Sequence, residues 1–201
     1  MKFTIEKTTL FKSLSHVQSI VEKKSTLPIL SHILMEAKDD NLILSATDMD
    51  ISIKEKIKCN IIEEGSTTVS AHTLYDIIRK ISDSSEIEII SNNGKLLSLR
   101  AGKSKFSLGC LPKEDFPIIE IGDLESELFI ESPTLLKLID KTRFAVSNEE
   151  TRYFLNGIYF HINKLNQLSI VATDGHRLAK FDLNLKDKAD DIPGVIIPKK
   201  T

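Results

Sequence analysis

Three side chains that could do chemistry lie together in the string 173–178, which reads Thr-Asp-Gly-His-Arg-Leu. The aspartate and the histidine could form an acid–base pair, and the arginine could bind an anion, as a hydrolase or phosphotransferase requires. However, no serine or cysteine stands nearby in a nucleophile elbow, and no second histidine follows at metal-ligand spacing. We therefore predict a tight turn between two strands, in which Gly175 supplies the positive φ, and no catalytic residue.

Two other patterns resemble functional sites only in part. The run Gly102-Lys103-Ser104 looks like the end of a phosphate-binding loop, but Leu97 stands where that motif needs a glycine. We predict a turn between strands there. The two cysteines, Cys59 and Cys110, have no His or Cys partner at ligand spacing, and so few cysteines are typical of a reduced, cytoplasmic protein. We expect neither a metal nor a cofactor.

Composition and charge exclude several classes of protein. The 201 residues are 41% hydrophobic and 28% charged, which is enough apolar mass for packed cores and excludes a disordered chain. No run of about 18 apolar residues could span a membrane, and the N-terminus lacks the apolar region of a signal peptide. With 27 Lys and Arg against 29 Asp and Glu, the net charge is -2. A role on nucleic acid would therefore need local basic patches.

The chain repeats itself at an offset of 125 residues. Ile5-Glu6 matches Ile130-Glu131 and Thr9-Leu10 matches Thr134-Leu135; after one inserted residue, the Ala-Thr-Asp of 46–48 matches that of 172–174. Chance matching of common residues is the alternative, but the identities fall in phase with the predicted elements. A repeat of this length predicts a duplicated domain. We expect one complete copy over 1–122, a short acidic linker at 122–126, and the first half of a second copy over 127–201.

Each copy is predicted to contain a strand, a helix and three further strands. In the first helix, Leu10, Leu14, Val17 and Val21 form one apolar stripe. In the second, Ser132 is the expected N-cap and Pro133 the first helical residue. The predicted strands are 2–6, 29–37, 41–47 and 51–59 in copy one, and 127–131, 155–162, 167–172 and 178–183 in copy two.

Copy one continues where copy two stops. We predict a strand at 67–71, a helix at 73–81, a hairpin of 87–91 and 95–101 around an Asn-Gly turn, and a strand at 105–108. Copy two reaches only 195–197, the expected counterpart of 68–70. The predicted fold class is α+β, with antiparallel sheets and helices on one face.

Basic and aromatic residues suggest an anionic partner. Lys137 and Lys141 lie on one face of the second predicted helix, and the first helix also carries lysines. In Arg152-Tyr153-Phe154, a cation stands beside two aromatic rings, which suits phosphate contact with stacking. A solvated helix face and a strand start with one core aromatic are the alternatives. A plain protein-interaction module would tolerate removal of Lys137, Lys141 and Arg152.

An ordered set of motifs gives the chain a family resemblance. The strings Thr-Leu-Pro-Ile-Leu at 26–30, Phe-Ser-Leu at 106–108, Arg-Tyr-Phe-Leu-Asn-Gly at 152–157 and Thr-Asp-Gly-His-Arg-Leu-Ala at 173–179 resemble the bacterial replicative sliding clamps, the beta subunits of DNA polymerase III. The resemblance implies a non-enzymatic ring. It would be a head-to-tail homodimer with three α+β domains per subunit, sheets outside and helices facing the hole. Such a ring encircles double-stranded DNA without sequence specificity and tethers the replicative polymerase.

By this resemblance, the chain is domain one plus half of domain two, and as given it should not close a ring. Polymerases, the clamp loader and repair proteins would dock a short hydrophobic peptide in a groove formed partly by Leu155, Thr173, Gly175, His176, Arg177 and Leu178. The expected DNA-facing residues are Lys24, Lys137, Lys141, Arg152, Tyr153, Phe154, Lys199 and Lys200. The expected subunit interface includes Lys103, Lys105, Phe106 and Leu108. Arginine is frequent in the family at 24, 103 and 105, and tyrosine at 154.

Overall fold

The computed structural model describes residues 1–21, 27–83, 85–92, 94–118, 127–185 and 192–201. The chain divides into two compact units, Met1–Glu120 and Ile121–Thr201. The expected linker at 122–126 and the expected DNA-facing residue Lys24 both lie outside the described residues. Within the described ranges, none of the helices has the length and apolar character needed to cross a bilayer.

The first unit contains two antiparallel sheets and two helices. One sheet has the strand order β4-β3-β2-β6 and the other the order β5-β1-β7-β8-β9. The elements are β1 (Lys2–Glu6), α1 (Lys7–Ile20), β2 (His32–Lys38), β3 (Asn41–Thr47), β4 (Ser52–Lys58), β5 (Asn60–Glu63), β6 (Gly65–Ser70), α2 (Ala71–Lys80), β7 (Glu86–Asn92), β8 (Leu96–Ala101) and β9 (Ser104–Gly109).

The core of the first unit lies between the helices and the inner faces of both sheets. The predicted stripe of α1 is confirmed, since Leu10, Leu14 and Val17 are fully buried. Each such side chain contributes about 1.5–3 kcal/mol by leaving water. Phe11 of α1 stacks on Tyr75 of α2 with ring centroids 5.3 Å apart, and this contact ties the two helices together.

The second unit contains one helix on one antiparallel sheet. Its elements are α3 (Ser132–Thr142), β10 (Gly157–Ile162), β11 (Gln167–Thr173), β12 (Leu178–Asn184) and β13 (Val195–Pro198), in the strand order β12-β11-β10-β13. Two short 3₁₀ segments, Arg143–Ala145 and Glu150–Leu155, connect α3 to β10. Alternate residues of β10 and β11, such as Ile158, Phe160 and Ile170, pack in its core with Leu138 of α3.

From the first helix of each unit onward, the two units repeat the same local topology, as the sequence predicts. The offset of 125 brings the first residue of α1, Lys7, onto the first residue of α3, Ser132, and the start of β2 onto the start of β10. The single insertion then aligns β3 with β11 and β4 with β12 from end to end. Sheet β4-β3-β2-β6 therefore corresponds to sheet β12-β11-β10-β13. The α+β fold class with antiparallel sheets is confirmed.

Several details of the prediction are wrong. Residues 127–131, predicted as the first strand of copy two, form no strand, α2 begins at Ala71 and not at residue 73, and β5 was not predicted. Ser132 is the first helical residue and not the N-cap, because the carbonyl of Glu131 already accepts the Leu135 amide at 3.0 Å. Residues 29–31 belong to a 3₁₀ turn that begins at Pro28, whose fixed φ suits a helical start.

The strand predicted from 155 begins only at Gly157, after a 3₁₀ segment that ends at Leu155. The counterpart of β13 residues 195–197 is 67–69 and not 68–70. Phe160 pairs with Val195, whereas the equivalent Met35 pairs with Thr67.

Candidate functional site

The string 173–178 forms the predicted turn between β11 and β12. The Asp174 carboxylate accepts the backbone amides of His176 at 3.0 Å and Arg177 at 2.9 Å through Oδ1, and Arg177 Nε at 2.9 Å through Oδ2. The Thr173 hydroxyl donates to the Arg177 carbonyl at 2.7 Å and accepts the Gly175 amide at 3.1 Å. Gly175 has a φ of 89°, so the predicted role of this glycine is confirmed.

The equivalent turn in the first unit has the same hydrogen bonds to backbone groups, without the bond that the Arg177 side chain adds in the second. Thr47 donates to the Ile51 carbonyl at 2.8 Å, and Asp48 Oδ1 accepts the amides of Asp50 and Ile51 at 3.1 and 2.8 Å. The Thr-Asp pair is therefore a structural element of the repeat. Amide donors from Arg177 and His176 lower the pKa of Asp174 to about 2, so its carboxylate stays ionised. A carboxylate held this way is a poor general base near neutral pH.

The pKa of Asp174 gives the turn a defined pH dependence. A folded-state pKa of about 2, below the ordinary 3.8, means that the ionised carboxylate stabilises the fold fully above about pH 4. This stabilisation is lost as the pH falls from about 4 through about 2. We expect Asp174→Asn to be less stable than the parent at neutral pH and to approach it in acid. Denaturant titrations across this pH range test this, and an unchanged difference at all pH values would contradict it.

The first unit carries a strained residue where the second has glycine. Met49 has a φ of 81° in the turn between β3 and β4, and its side chain is 54% exposed. A left-handed backbone conformation costs an L-residue about 1–2 kcal/mol. Glycine removes this strain, but its unfolded chain has more conformational entropy, which cancels part of the gain in stability. We expect Met49→Gly to raise the free energy of unfolding by about 0.5 kcal/mol, measured by urea denaturation. Met49→Ala keeps the strain, so an equal gain in that variant would contradict the explanation.

Side chains from the 3₁₀ segments contact the 173–178 turn. The guanidinium of Arg177 lies over the ring of Phe144, 5.7 Å from its centroid. Arg152 Nη1 lies 3.3 Å from the position that a Cβ on Gly175 would occupy, so glycine leaves room for the arginine. Arg152 Nε also pairs with Glu149 at 3.1 Å. These contacts place Arg152, predicted to face DNA, beside the turn predicted to bind peptides.

Phe144 is a candidate site residue that the sequence analysis missed. Phe144 is 57% exposed although the guanidinium of Arg177 lies over its ring. A signal was available, because the repeat places Ser19 at the equivalent position in α1. An aromatic residue in one copy where the other copy has an exposed serine points to a surface used for binding.

The other residues expected in the groove differ in exposure. Leu178 is 64% exposed at the start of β12, and the His176 ring is exposed and makes no hydrogen bond with a described residue. Leu155 is half-buried at the end of its 3₁₀ segment, and its carbonyl accepts the Ser147 amide at 3.0 Å. The turn thus presents an apolar side chain flanked by a histidine and two arginines.

The residues expected to face DNA are exposed on the second unit. Lys137 and Lys141 lie one turn apart on α3. Tyr153 and Phe154 are 80% and 54% exposed, with ring centroids 5.7 Å apart in an edge-to-face arrangement. The alternative in which one of these rings enters the core is wrong. Lys199 and Lys200 follow β13 and are also exposed; the Lys199 side chain contacts Asn148.

The residues expected at the subunit interface lie on and beside β9, the outermost strand of its sheet. Phe106 and Leu108 are half-buried against the first unit's core, and Lys105 pairs across from Arg100 of β8. Lys103 follows Gly102, whose φ of 54° makes the predicted turn. Phe106 also lines an open pocket of about 500 Å³, together with Ile77 of α2 and Ile81, the residue that follows α2. The sequence analysis did not place Ile77 and Ile81 near the expected interface, because tertiary packing brings them beside β9.

Metal chemistry has no support within the described ranges. No cluster of three or more His, Cys, Asp or Glu side chains is placed there to hold an ion. Cys59 and Cys110 are free thiols, and burial raises the pKa of both.

Comparison with known proteins identifies the family. The model for the N-terminal domain of the DNA polymerase III beta subunit matches residues 1–120, and the model for its central domain matches 129–201. The chain is 47% identical to the beta sliding clamp of Caulobacter vibrioides, covering 100% of this chain and 55% of that protein. It thus spans about half the length of the curated relatives it matches.

Solved structures agree over the whole chain. A crystal structure of the C. crescentus beta sliding clamp, with PEG bound to its putative beta-motif tethering region, superposes with a TM-score of 0.94 at 46% identity. A Bartonella birtlesii sliding clamp bound to griselimycin superposes with a TM-score of 0.94 at 44% identity. Each comparison covers 100% of this chain and 54% of the other. The chain therefore belongs to the DNA polymerase III beta subunit family, and the relatives it matches are named beta sliding clamps.

Proposed function

We propose that the protein is a processivity clamp without catalytic activity. It encircles double-stranded DNA in the cytoplasm and tethers the replicative polymerase. The carrying observation is the repeat: two units of one topology present lysines at equivalent helix positions, Lys12 on α1 and Lys137 on α3. Family membership supports the same reading. In the ring, 1–122 is domain one and 127–201 belongs to domain two.

Topological linkage explains how a chain with a net charge of -2 can work on DNA. A protein held by phosphate contacts alone needs many cations, and its affinity falls steeply with salt. A closed ring needs only weak contacts that carry no sequence information. The proposed contacts come from Lys24, Lys137, Lys141, Arg152, Tyr153, Phe154, Lys199 and Lys200.

The proposed partner site is the exposed surface around the 173–178 turn. Leu178 and Leu155 supply apolar contact for a short hydrophobic peptide, while His176 and Arg177 supply the polar rim. Gly175, whose amide donates to the Thr173 hydroxyl, lets a peptide backbone approach closely. The proposed occupants are segments of the replicative polymerase, the clamp loader and repair polymerases.

Two truncations test this site. We expect Leu155→Ala and His176→Ala each to weaken binding of the replicative polymerase's clamp-binding peptide by about 1 kcal/mol, the scale of a moderate hot spot. Leu155 loses apolar contact and His176 loses a polar contact at the rim. Isothermal titration calorimetry measures both affinities. Unaltered affinity in both variants would contradict the assignment.

The proposed ring is a head-to-tail homodimer that closes through β9. As an outer strand, β9 can extend its sheet by pairing with another subunit. Phe106 and Leu108 would supply apolar contact, and Lys103 and Lys105 would pair with acidic residues across the interface. Lysine forms such pairs as a point charge and not as the bidentate fork of arginine.

Retention on circular DNA tests the proposed function. The gene product at its natural length is loaded by its clamp loader onto nicked circular DNA, and retention is measured before and after the circle is linearised. We expect retention to be lost on linearisation, because a ring slides off free ends. Equal retention on both forms would overturn topological linkage. Unchanged processivity after Lys137→Ser, Lys141→Ser and Arg152→Ser together would favour a plain protein-interaction module.

A further inference from the structure

A row of lysines lies on one face of the first unit's β4-β3-β2-β6 sheet. Lys54, Lys56 and Lys58 alternate along β4 and are all exposed, whereas the intervening Ile53, Glu55 and Ile57 are half-buried. The Glu55 carboxylate lies 2.5 Å from Nδ1 of His16 on α1, which identifies the helix-covered face. The lysines therefore occupy the opposite face.

A fourth lysine extends the row across the sheet. Lys38 of β2 and Lys58 of β4 pair with the same residue of β3, Asn41, from its two sides. We name Lys38, Lys54, Lys56 and Lys58 the lysine face. None of the four forms an ion pair or hydrogen bond with a described residue.

Protection of the edge strand against pairing with another chain does not account for the whole lysine face. Charged residues on an edge strand discourage aggregation, and three lysines at alternate positions of β4 could serve that purpose. Lys38 lies on β2, which is between β3 and β6 and is not an edge strand. On the same face of the described strands β2, β3, β4 and β6, Glu36 is the only acidic residue, and Ile43 separates it from Lys56. The face therefore carries four lysines against one glutamate, and the carboxyl groups of Asp39, Asp40 and Glu64 border its Lys38 and Lys58 end.

The spacing of the charges indicates the shape of the ligand. Alternate residues of a strand are about 6.4–6.8 Å apart, so Lys54, Lys56 and Lys58 match carboxylates at every second residue of another extended chain. Single-stranded nucleic acid is held mainly by stacking on aromatic side chains. The described part of this face carries no Phe, Tyr or Trp; β3 contributes Asn41, Ile43 and Ser45. These observations favour a peptide over a nucleic acid.

We propose that the lysine face binds an extended acidic segment of a partner protein, with carboxylates at every second residue. This surface is distinct from the turn at 173–178, which belongs to the second unit. The attraction is between exposed charges, so binding weakens as salt rises. The face would give the protein a second docking surface, specific for charge pattern and not for apolar side chains.

Fluorescence anisotropy with a labelled peptide of alternating Glu and Thr tests the proposal at low salt. We expect Lys54→Ser/Lys58→Ser to lower the affinity about tenfold, the effect of losing two exposed charge pairs. The matched control Lys95→Ser/Lys164→Ser removes the same charge from exposed positions elsewhere, and we expect it to bind like the parent. Thermal unfolding of both variants checks that the fold is intact, as expected for exposed lysines.

Each of the following results would overturn the proposal. The first is equal binding of a peptide with the same composition but all glutamates in one block, since charge alone would then suffice. The second is tighter binding of oligothymidylate that is lost in Lys54→Ser/Lys58→Ser, which would make the face a nucleic-acid surface. The third is equal loss of affinity in the control variant, or no binding of the alternating peptide at all.

Discussion

Replacing Gly157 with alanine will lower the free energy of unfolding of the second unit by about 3 kcal/mol, at the upper end for an overpacked core. A Cβ at this position would lie 2.5 Å from the carbonyl oxygen of Ile197 and 2.6 Å from Cγ2 of Ile196. Both residues belong to β13, which pairs with β10 at this point. Backbone atoms cannot rotate away as a side chain can, so the two strands must separate.

Gly109→Ala is the matched control for this change. Gly109 also lies in a strand, but a Cβ there would meet nothing within 4 Å. Gly194→Ala adds an intermediate case, since its Cβ would contact the ring end of Tyr159, which can move. Urea denaturation followed by circular dichroism ranks the three variants. Equal stability of Gly157→Ala and Gly109→Ala would show that β13 is not held against β10 as described.

Leu178→Ser will weaken binding of the replicative polymerase's clamp-binding peptide by about 2 kcal/mol, or about 30-fold, the effect of losing a hot-spot residue. Leu178 is 64% exposed beside Arg177, so its apolar surface is available to a partner and contributes little to the core. The substitution removes the apolar contact and leaves the turn's hydrogen bonds in place. Folding stability should therefore change much less than peptide affinity does.

Leu165→Ser provides the comparison for this variant. Leu165 is also in the second unit and is 78% exposed, in the connection between β10 and β11. We expect it to bind the peptide like the parent in calorimetry. If the two leucine variants lose affinity equally, the effect comes from general surface hydrophobicity, and the proposed groove is in the wrong place.

Local patterns in the sequence predict much of the fold. The bounds of β3, Asn41–Thr47, follow from alternation up to a Thr-Asp turn, because side-chain hydrogen bonds in that turn end the strand. The repeat places a strand at the same positions of the second copy, where the predicted end, residue 172, is one residue short of the observed end at Thr173. The turn at 173–178 is predictable for the same reason, since Asp174 and Gly175 fix it with local bonds alone.

Features that depend on distant contacts are not predictable in this way. Strand β5, Asn60–Glu63, was not predicted; it follows β4 closely in the chain, yet it pairs with β1 in the other sheet. Phe144 becomes a candidate site residue only because the fold brings Arg177 onto its ring. Leu155 was expected to begin a strand, but the Ser147 amide binds its carbonyl and holds it in a 3₁₀ turn.

The duplicated Thr-Asp turn gives the molecule an internal reference for engineering. Thr47 and Thr173 make matching bonds, and within the second unit the turn of Thr173 adjoins Arg152 and Phe144. Replacing Thr47 in the first copy changes the free energy of unfolding alone. The same replacement of Thr173 in the second copy changes the free energy of unfolding and also any binding of a partner peptide at that turn. The difference between the two variants therefore separates the effect on folding from the effect on binding within one polypeptide.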